Sequence, residues 1–304
     1  MILTVTLNPA LDLTYEVERL RPYATHRVSA VHERPGGKGL NVAGVLHALG
    51  EPVLATGLLG GPTGARVQAL VDAAGLPSSF AAIAGETRRT VTVADHTDAT
   101  GLWEPGPVVS AAEWSAFAAR FRTLLDGAAV VTLSGSLPAG LSPDAYAELI
   151  TIARSLGIPS VLDTSGEALR LGLRAGPTLA KPNEAELAAL MGSLGTPEPG
   201  IRSLLAPGSR AVVVSRGPRG LHAVTADGSW RAAPASALRG NPTGAGDACV
   251  AALARGLRDD TPWPPLLADA VALSAAAVAA PVAGSVDMDR YSRLKEAIDA
   301  GSDG

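Results

Sequence analysis

Residues Asn241-Pro242-Thr243-Gly244-Ala245-Gly246-Asp247 set two glycines around one alanine and follow them with a carboxylate, just ahead of the apolar run Ala248–Leu257. Glycines let backbone N–H groups turn toward a ligand at close range. The start of a helix adds a partial positive charge, so Gly244, Ala245 and Gly246 suit an anion such as a phosphate. An aspartate held there, Asp247, could take the proton from a hydroxyl being phosphorylated. The same residues also fit a plain glycine-rich turn with Asp247 as helix N-cap.

Four other stretches carry chemistry of this kind. Gly36-Gly37-Lys38-Gly39-Leu40-Asn41 repeats the flexible turn ahead of a helix, with Lys38 able to hold an anionic group and Asn41 a hydroxyl. It lacks the Walker A spacing, and a turn with a solvated lysine remains the alternative. Arg88 and Arg89 precede a strand, whose alternation puts one on each face, and either could be a surface charge. Ser134-Gly135-Ser136-Leu137-Pro138 and Lys181-Pro182-Asn183-Glu184-Ala185-Glu186 each follow an expected strand, where open α/β sheets bind ligands. Asn183 and Glu186 stand three apart on a new helix; they could serve a hard cation and its waters, or form a capping box.

The elements that must position these groups follow from periodicity. Strands are expected at Ile2–Leu7, Thr14–Val17, Arg27–His32, Val53–Leu58, Arg89–Asp95 and Ala99–Trp103, with a loop at 34–39 and helices at Leu40–Leu49 and Gly64–Ala74. From Ala111 the rhythm is regular. Helices Ala111–Leu125, Pro143–Leu156, Gly166–Leu173 and Asn183–Met191 alternate with strands Ala129–Leu133, Ser160–Leu162, Thr178–Lys181 and Arg210–Ser215. That alternation predicts a parallel sheet covered on both faces. Leu221–Thr225 and Gly228–Ala232 predict a hairpin turned at Asp227-Gly228. The early segments break the rhythm and alternate polar on one side, as a small sheet lying over a site would.

Composition narrows the classes. At 304 residues, 47% of them hydrophobic and 18% charged, the chain can bury a large core, which excludes disorder as its main state. A net charge of −4 argues against a nucleic-acid footprint, so any anionic ligand needs local positive charge. The single cysteine, Cys249, fits a buried thiol in a reducing cytosol. The first residues, Met1–Val5, lack a basic, long-apolar leader, and Leu266–Val282 contains Asp269 and reads as a buried helix instead of a membrane span.

Residues 36–43 (Gly-Gly-Lys-Gly-Leu-Asn-Val-Ala), Lys181-Pro182-Asn183 with Glu186, and 243–247 (Thr-Gly-Ala-Gly-Asp), in this order, resemble the PfkB/ribokinase family of carbohydrate kinases. The opening Thr4–Ala10 with Asp12, together with Ser134–Pro138, resembles its branch of 1-phosphofructokinases and tagatose-6-phosphate kinases. The resemblance implies one ribokinase-like α/β domain over 1–304: a mostly parallel central sheet flanked by helices in three layers, with a β lid from residues 12–34 and 88–105. It implies ATP and Mg²⁺ as cofactors, and a ketohexose monophosphate converted to a bisphosphate. By the same similarity Asp247 is the base and Gly244, Ala245 and Gly246 are the anion hole. Asp12, Gly37, Lys38 and Asn41 would hold the sugar. Arg88 would contact the phosphate it already carries, with Arg27 on the lid and Ser136 nearby. Lys181, Asn183, Ser215, Gly217, Gly220 and Thr243 would serve the nucleotide, and Glu186 the metal. Family lids often pair between subunits, which implies a homodimer; neither nucleic acid nor membrane is an expected partner. Family members often carry an asparagine near the adenine in the last helix, where Leu273–Ala277 here offers only Ser274. A kinase of an unphosphorylated sugar or nucleoside stays open beside this reading, as does a sugar-binding regulator without catalysis. A dinucleotide-binding dehydrogenase fits poorly, because the early loop lacks the G-x-G-x-x-G spacing.

Overall fold

Ile2 and Leu3 point to opposite sides of one strand, and both are fully buried. The same holds for Val130 and Val131, and for Val161 and Leu162. A strand buried on both faces belongs to a sheet covered on both sides, and two separate apolar clusters do cover it. One packs Leu40, Val45, Leu253 and Leu273 against Ile2, Val130 and Val213. The other packs Phe117, Phe121, Tyr146 and Leu169 against Leu3, Val131 and Val212.

The structure, a computed structural model, describes residues 1–192, 197–234, 243–280, 282–296 and 299–302. The chain runs β1 (Ile2–Thr6), β2 (Ala10–Glu16), β3 (Ala30–Gly36), α1 (Lys38–Ala48), β4 (Val53–Gly60), α2 (Gly61–Ala73), β5 (Ala81–Ile83), β6 (Arg88–Ala94) and β7 (Ala99–Trp103). It continues with α3 (Ala111–Leu124), β8 (Val130–Ser134), α4 (Ala145–Ser155), β9 (Ser160–Asp163), α5 (Gly166–Arg174), β10 (Leu179–Ala180), α6 (Glu184–Met191) and α7 (Glu198–Arg202). The last third holds β11 (Ala211–Ser215), β12 (Leu221–Val224), β13 (Ser229–Ala233), α8 (Ala245–Arg258), α9 (Trp263–Ala279), α10 (Met288–Glu296) and β14 (Asp299–Ser302).

The large sheet has the order β14-β13-β12-β11-β10-β9-β8-β1-β4-β5. It is parallel from β5 to β11 and antiparallel beyond, the β12–β13 hairpin turning at the expected Asp227-Gly228, where Thr225 N donates to Gly228 O. From β1 the chain winds outward to β4 and β5 on one side and from β8 to β11 on the other. That reversal opens a crevice at the carboxyl ends of β1, β8 and β9. A second sheet, β3-β2-β6-β7, stands apart, with β2 and β6 parallel and in register from Ala10↔Arg88 to Glu16↔Ala94. This is the ribokinase-like α/β fold expected from the sequence.

Several boundaries differ from expectation. The strand expected at Arg27–His32 begins at Ala30, so Arg27 lies in the connection before it. The loop expected at 34–39 is instead the end of β3 followed at once by α1, because pairing with β2 continues to Ala10↔Gly36. Pro35 is tolerated there because β3 is an edge strand. The apolar segment Leu266–Val282 is helical from Trp263 to Ala279, and Pro281 falls outside the described residues. No helix among the described residues is long and apolar enough to cross a membrane. Strand β5, helix α7, helix α10 and strand β14 have no counterpart in the sequence reading.

Candidate active site

The carboxyl ends of the parallel strands deliver the chemical groups. Strand β1 leads to Asn8, β8 to Ser134 and Ser136, β9 ends on Asp163, β10 leads to Lys181, and β11 ends on Ser215. Helix α8 points its first turn into the same crevice. Its N-cap is Gly244, at φ +89°, a left-handed conformation that only glycine adopts at low cost. No side chain caps the first turn, so its N–H groups, at Ala245, Gly246 and Asp247, are left for a ligand. Asp247 is therefore in the first turn and is not the N-cap, which removes the plain capping alternative. Thr243, exposed, leads into this turn; Asn241 and Pro242 fall outside the described residues.

Asp247 is 5% exposed and accepts a 2.8 Å hydrogen bond from Asn41 Nδ2, on the first turns of α1. Burial, reinforced by the nearby Asp163 carboxylate, pushes its acid form up to about 7. A carboxyl so poised is half ionised near neutral pH, the range in which a general base works best.

Two lysines share the buried Asp163 from either side. Lys181 Nζ lies 3.1 Å from Oδ1, and Lys38 Nζ lies 3.4 Å from Oδ2. Burial alone would depress the Lys181 ammonium, but the Asp163 carboxylate, together with Cys249 and Glu186, outweighs it and holds Lys181 above the ordinary lysine range. Lys181 thus stays charged although only 4% exposed. It stands beside the first turn of α8, where a methyl group placed on Gly246 would sit 3.6 Å from Nζ.

The small sheet brings a second charged group to the crevice. Asp12 on β2 accepts from Thr90 Oγ1 on β6 and faces Arg34 and Arg88. Burial raises Asp12, and Thr90, Arg34 and Arg88 pull it back. Gly36 is what lets the Asp12 carboxylate pass, since a Cβ at that position would collide with it. Arg88 Nε donates to Asn8 O at 3.3 Å, and Asn8 Nδ2 donates to Ser136 Oγ at 3.1 Å. Asn8 Oδ1 and Ser134 Oγ are buried without a hydrogen-bond partner among the described residues, as expected where a polar ligand completes the site. Arg89, one residue on, points outward and pairs with Glu104. The alternation expected of the two arginines is what is found.

On the far side of Lys181, Asn183 and Glu186 form a reciprocal capping box, Asn183 Oδ1 accepting from Glu186 N and Glu186 Oε2 from Asn183 N, both at 2.8 Å. Ser215 N donates to Pro182 O, which ties β11 to this helix start. Gly217 and Gly220, at φ +56° and +78°, then open and close a one-turn 3₁₀ helix, and Arg216, just before it, and Arg219, within it, both pair with Glu184. Gly37 is the N-cap of α1 and sets the direction of Lys38. Arg27 is exposed and enters none of the bonds that knit the cluster.

Three participants escaped the sequence reading: Asp163, Arg34 and Asn8. Asp163 ends a parallel strand, the same signal that marked Ser134 and Lys181. The sequence places Arg34 in the loop expected at 34–39, and Asn8 just past the end of the strand expected at Ile2–Leu7.

The donor set suits a nucleotide: uncapped N–H groups and buried or half-buried cations for phosphate oxygens. Among the described residues no group of three or more His, Cys, Asp or Glu side chains forms a cage for a metal. Mg²⁺ does not require one, since it keeps waters and phosphate oxygens around one or two carboxylates; Asp163 and Glu186 both stand close enough to Lys181 to raise its proton affinity.

The comparisons agree with this geometry. A model of the pfkB family of carbohydrate kinases matches residues 5–289. Phosphofructokinase-2 from Escherichia coli superposes with a TM-score of 0.90 at 28% identity, over 97% of this chain and 98% of that one. Structures of that enzyme include a complex with fructose 6-phosphate and a tetrameric inhibited form. A Thermotoga maritima protein described as a possible 1-phosphofructokinase superposes with a TM-score of 0.88 at 25% identity over the whole of both chains. Ribokinase from Arabidopsis thaliana shares the fold, with a TM-score of 0.75 at 20% identity over 97% of this chain and 98% of that one. The chain belongs to the pfkB family of carbohydrate kinases.

Proposed function

We propose that this kinase phosphorylates a ketohexose monophosphate, giving a bisphosphate. The observation that carries the reading is Arg88. Its guanidinium is half-buried beside Asp12 and hydrogen-bonded to Asn8, whose amide reaches Ser136. An arginine brought this far out of water, at the edge of a crevice, is suited to a phosphate that it can bond through two donors. Phosphofructokinase-2, the relative solved with fructose 6-phosphate, supports the same substrate class.

In this reading Asp12, Gly37, Lys38 and Asn41 hold the sugar, and Arg88 with Ser136 holds its existing phosphate. The small sheet is the lid, residues 12–34 and 88–105, of a single domain spanning 1–304. Asp247 takes the proton of the acceptor hydroxyl as its oxygen forms a bond to the γ-phosphorus and the bond to the leaving ADP breaks. The N–H groups of Ala245, Gly246 and Asp247 receive the charge on the transferring group. Lys181, Asn183, Thr243 and the turn from Ser215 through Gly217 to Gly220 line the nucleotide side. ATP with Mg²⁺ is the cofactor pair of the family; the ion, near Glu186, neutralises phosphate charge when bound. Arg27 fits the lid only as an outer contact. The reading includes a homodimer, supported by Val31, Leu102 and Trp103, large apolar side chains exposed on the small sheet, and by the tetramer of phosphofructokinase-2. It also includes a cytoplasmic location, for which the single free thiol of Cys249 is the support.

The test is ADP release with fructose 1-phosphate, fructose 6-phosphate and tagatose 6-phosphate against free fructose, tagatose and ribose. Preference for one of the phosphates supports the reading. Preference for an uncharged sugar leaves the kinase and overturns the substrate.

A further inference from the structure

Arg34 is not needed for any step above, yet its contacts cross the whole crevice. Strand register sets it directly opposite Asp12. Its Nη2 donates to the carbonyl of Ala283, far along the chain in the turn that follows α9. That turn supports the phosphoryl side of the site. A methyl group on Gly244 would stand 3.0 Å from Ala283 Cα and 3.2 Å from Gly284 N. A methyl group on Gly284 would in turn stand 3.0 Å from Asn41 Oδ1 and 3.5 Å from Arg34 Nη2. The 283–284 turn is thus wedged among the N-cap of α8, the asparagine that orients Asp247, and a guanidinium carried by the small sheet.

We propose that Arg34 is a positioning residue that latches the lid sheet onto the turn beneath the anion hole, keeping the sugar side and the phosphoryl side of the crevice in alignment. The inference rests on the reading of the Asp12 side as the sugar side. A guanidinium has five donors in a fixed fork, so it can bond the Ala283 carbonyl while facing the Asp12 carboxylate. Burial lowers the proton affinity of Arg34 and Asp12 restores part of it, as expected of a charge held between two elements and away from bulk water. Transfer depends on the acceptor hydroxyl lying in line with the group bound at the first turn of α8. A misplacement of roughly 1 Å costs about 10²-fold in rate.

The test compares Arg34→Met and Arg34→Lys with wild type in two ways. The first measures kcat and KM on whichever acceptor the wild type uses best; the second measures amide hydrogen exchange of the substrate-free protein over residues 30–36 and 282–286. Arg34→Met is expected to lower kcat about 10- to 100-fold, with KM for the acceptor changed less than about threefold. Both segments should exchange faster. Arg34→Lys should fall between, since a single ammonium reaches one partner at a time, and it keeps the test alive if the methionine variant does not fold. A raised KM for charged acceptors with kcat unchanged would show that Arg34 grips the substrate phosphate directly and would overturn the latch. So would unaltered exchange in either segment. If the wild type prefers an uncharged sugar, the substrate reading falls, but the same kcat and exchange measurements on that sugar still decide the role of Arg34.

Discussion

Asp247 and Asp163 are two carboxylates in one crevice, and their surroundings separate them. Asp163 lies between two ammonium groups, whereas Asp247 has an asparagine amide and burial. Asp247→Asn keeps the shape and should lower kcat by roughly 10²–10⁴-fold, the usual cost of losing a general base. Because Asp247 must be ionised to accept a proton and sits at about 7, kcat/KM should fall as pH drops below neutrality and level off above it. Asp163→Asn removes a negative charge that favours protonated Asp247, so the acid limb should move to lower pH. A pH profile of both variants checks the assignment; an unmoved limb in Asp163→Asn would contradict the coupling. Asp247 was legible in sequence because glycines and a helix start surround it. Asp163 was not, since its meaning comes from Lys181, brought beside it by the parallel pairing of β9 and β10, and from Lys38, which reaches it from the start of α1.

At the scale of elements, the strands of the α/β body could be read to within a few residues because burial on both faces leaves long apolar runs between polar turns. What resisted was structure held by tertiary contact. Helix α7 contains Pro199 and Gly200 and is held by buried Ile201 and by Arg202, which bonds the carbonyls of Thr225 and Ala226. Helix α10 is largely charged, and its Tyr291 hydroxyl joins the half-buried Arg255 and the buried Asp269 that it pairs with. Two predictions belong here. Gly244→Ala must place a side chain at φ +89° against Ala283, at a cost of roughly 1–3 kcal/mol; thermal unfolding together with a loss of kcat reads both the strain and the spoiled anion hole. Glu186→Gln keeps a side-chain acceptor for Asn183 N, so the unfolding temperature should hardly move. The Mg²⁺ concentration needed for half-maximal rate should rise, and an unchanged requirement would leave Glu186 a capping residue only.

The proposed function asks a net-negative protein to hold two phosphorylated substrates, and the fold draws Lys38, Lys181 and Arg88 to one crevice while ion pairs such as Arg89–Glu104 occupy other cations at the surface. Motif order along the sequence was enough to identify the family, because each motif marks the carboxyl end of a strand or the start of a helix at the same crevice. The substrate was less legible. It turns on which face of β6 carries Arg88, and on Asn8 and Ser136 lying beneath it. Comparing wild type with Arg88→Ala, each on the preferred sugar phosphate and on the corresponding free sugar, tests this most directly. The account predicts that Arg88→Ala lowers kcat/KM for the sugar phosphate by about 2–4 kcal/mol and barely alters any activity on the free sugar. Equal losses on both, or a wild type that prefers the free sugar, would contradict it.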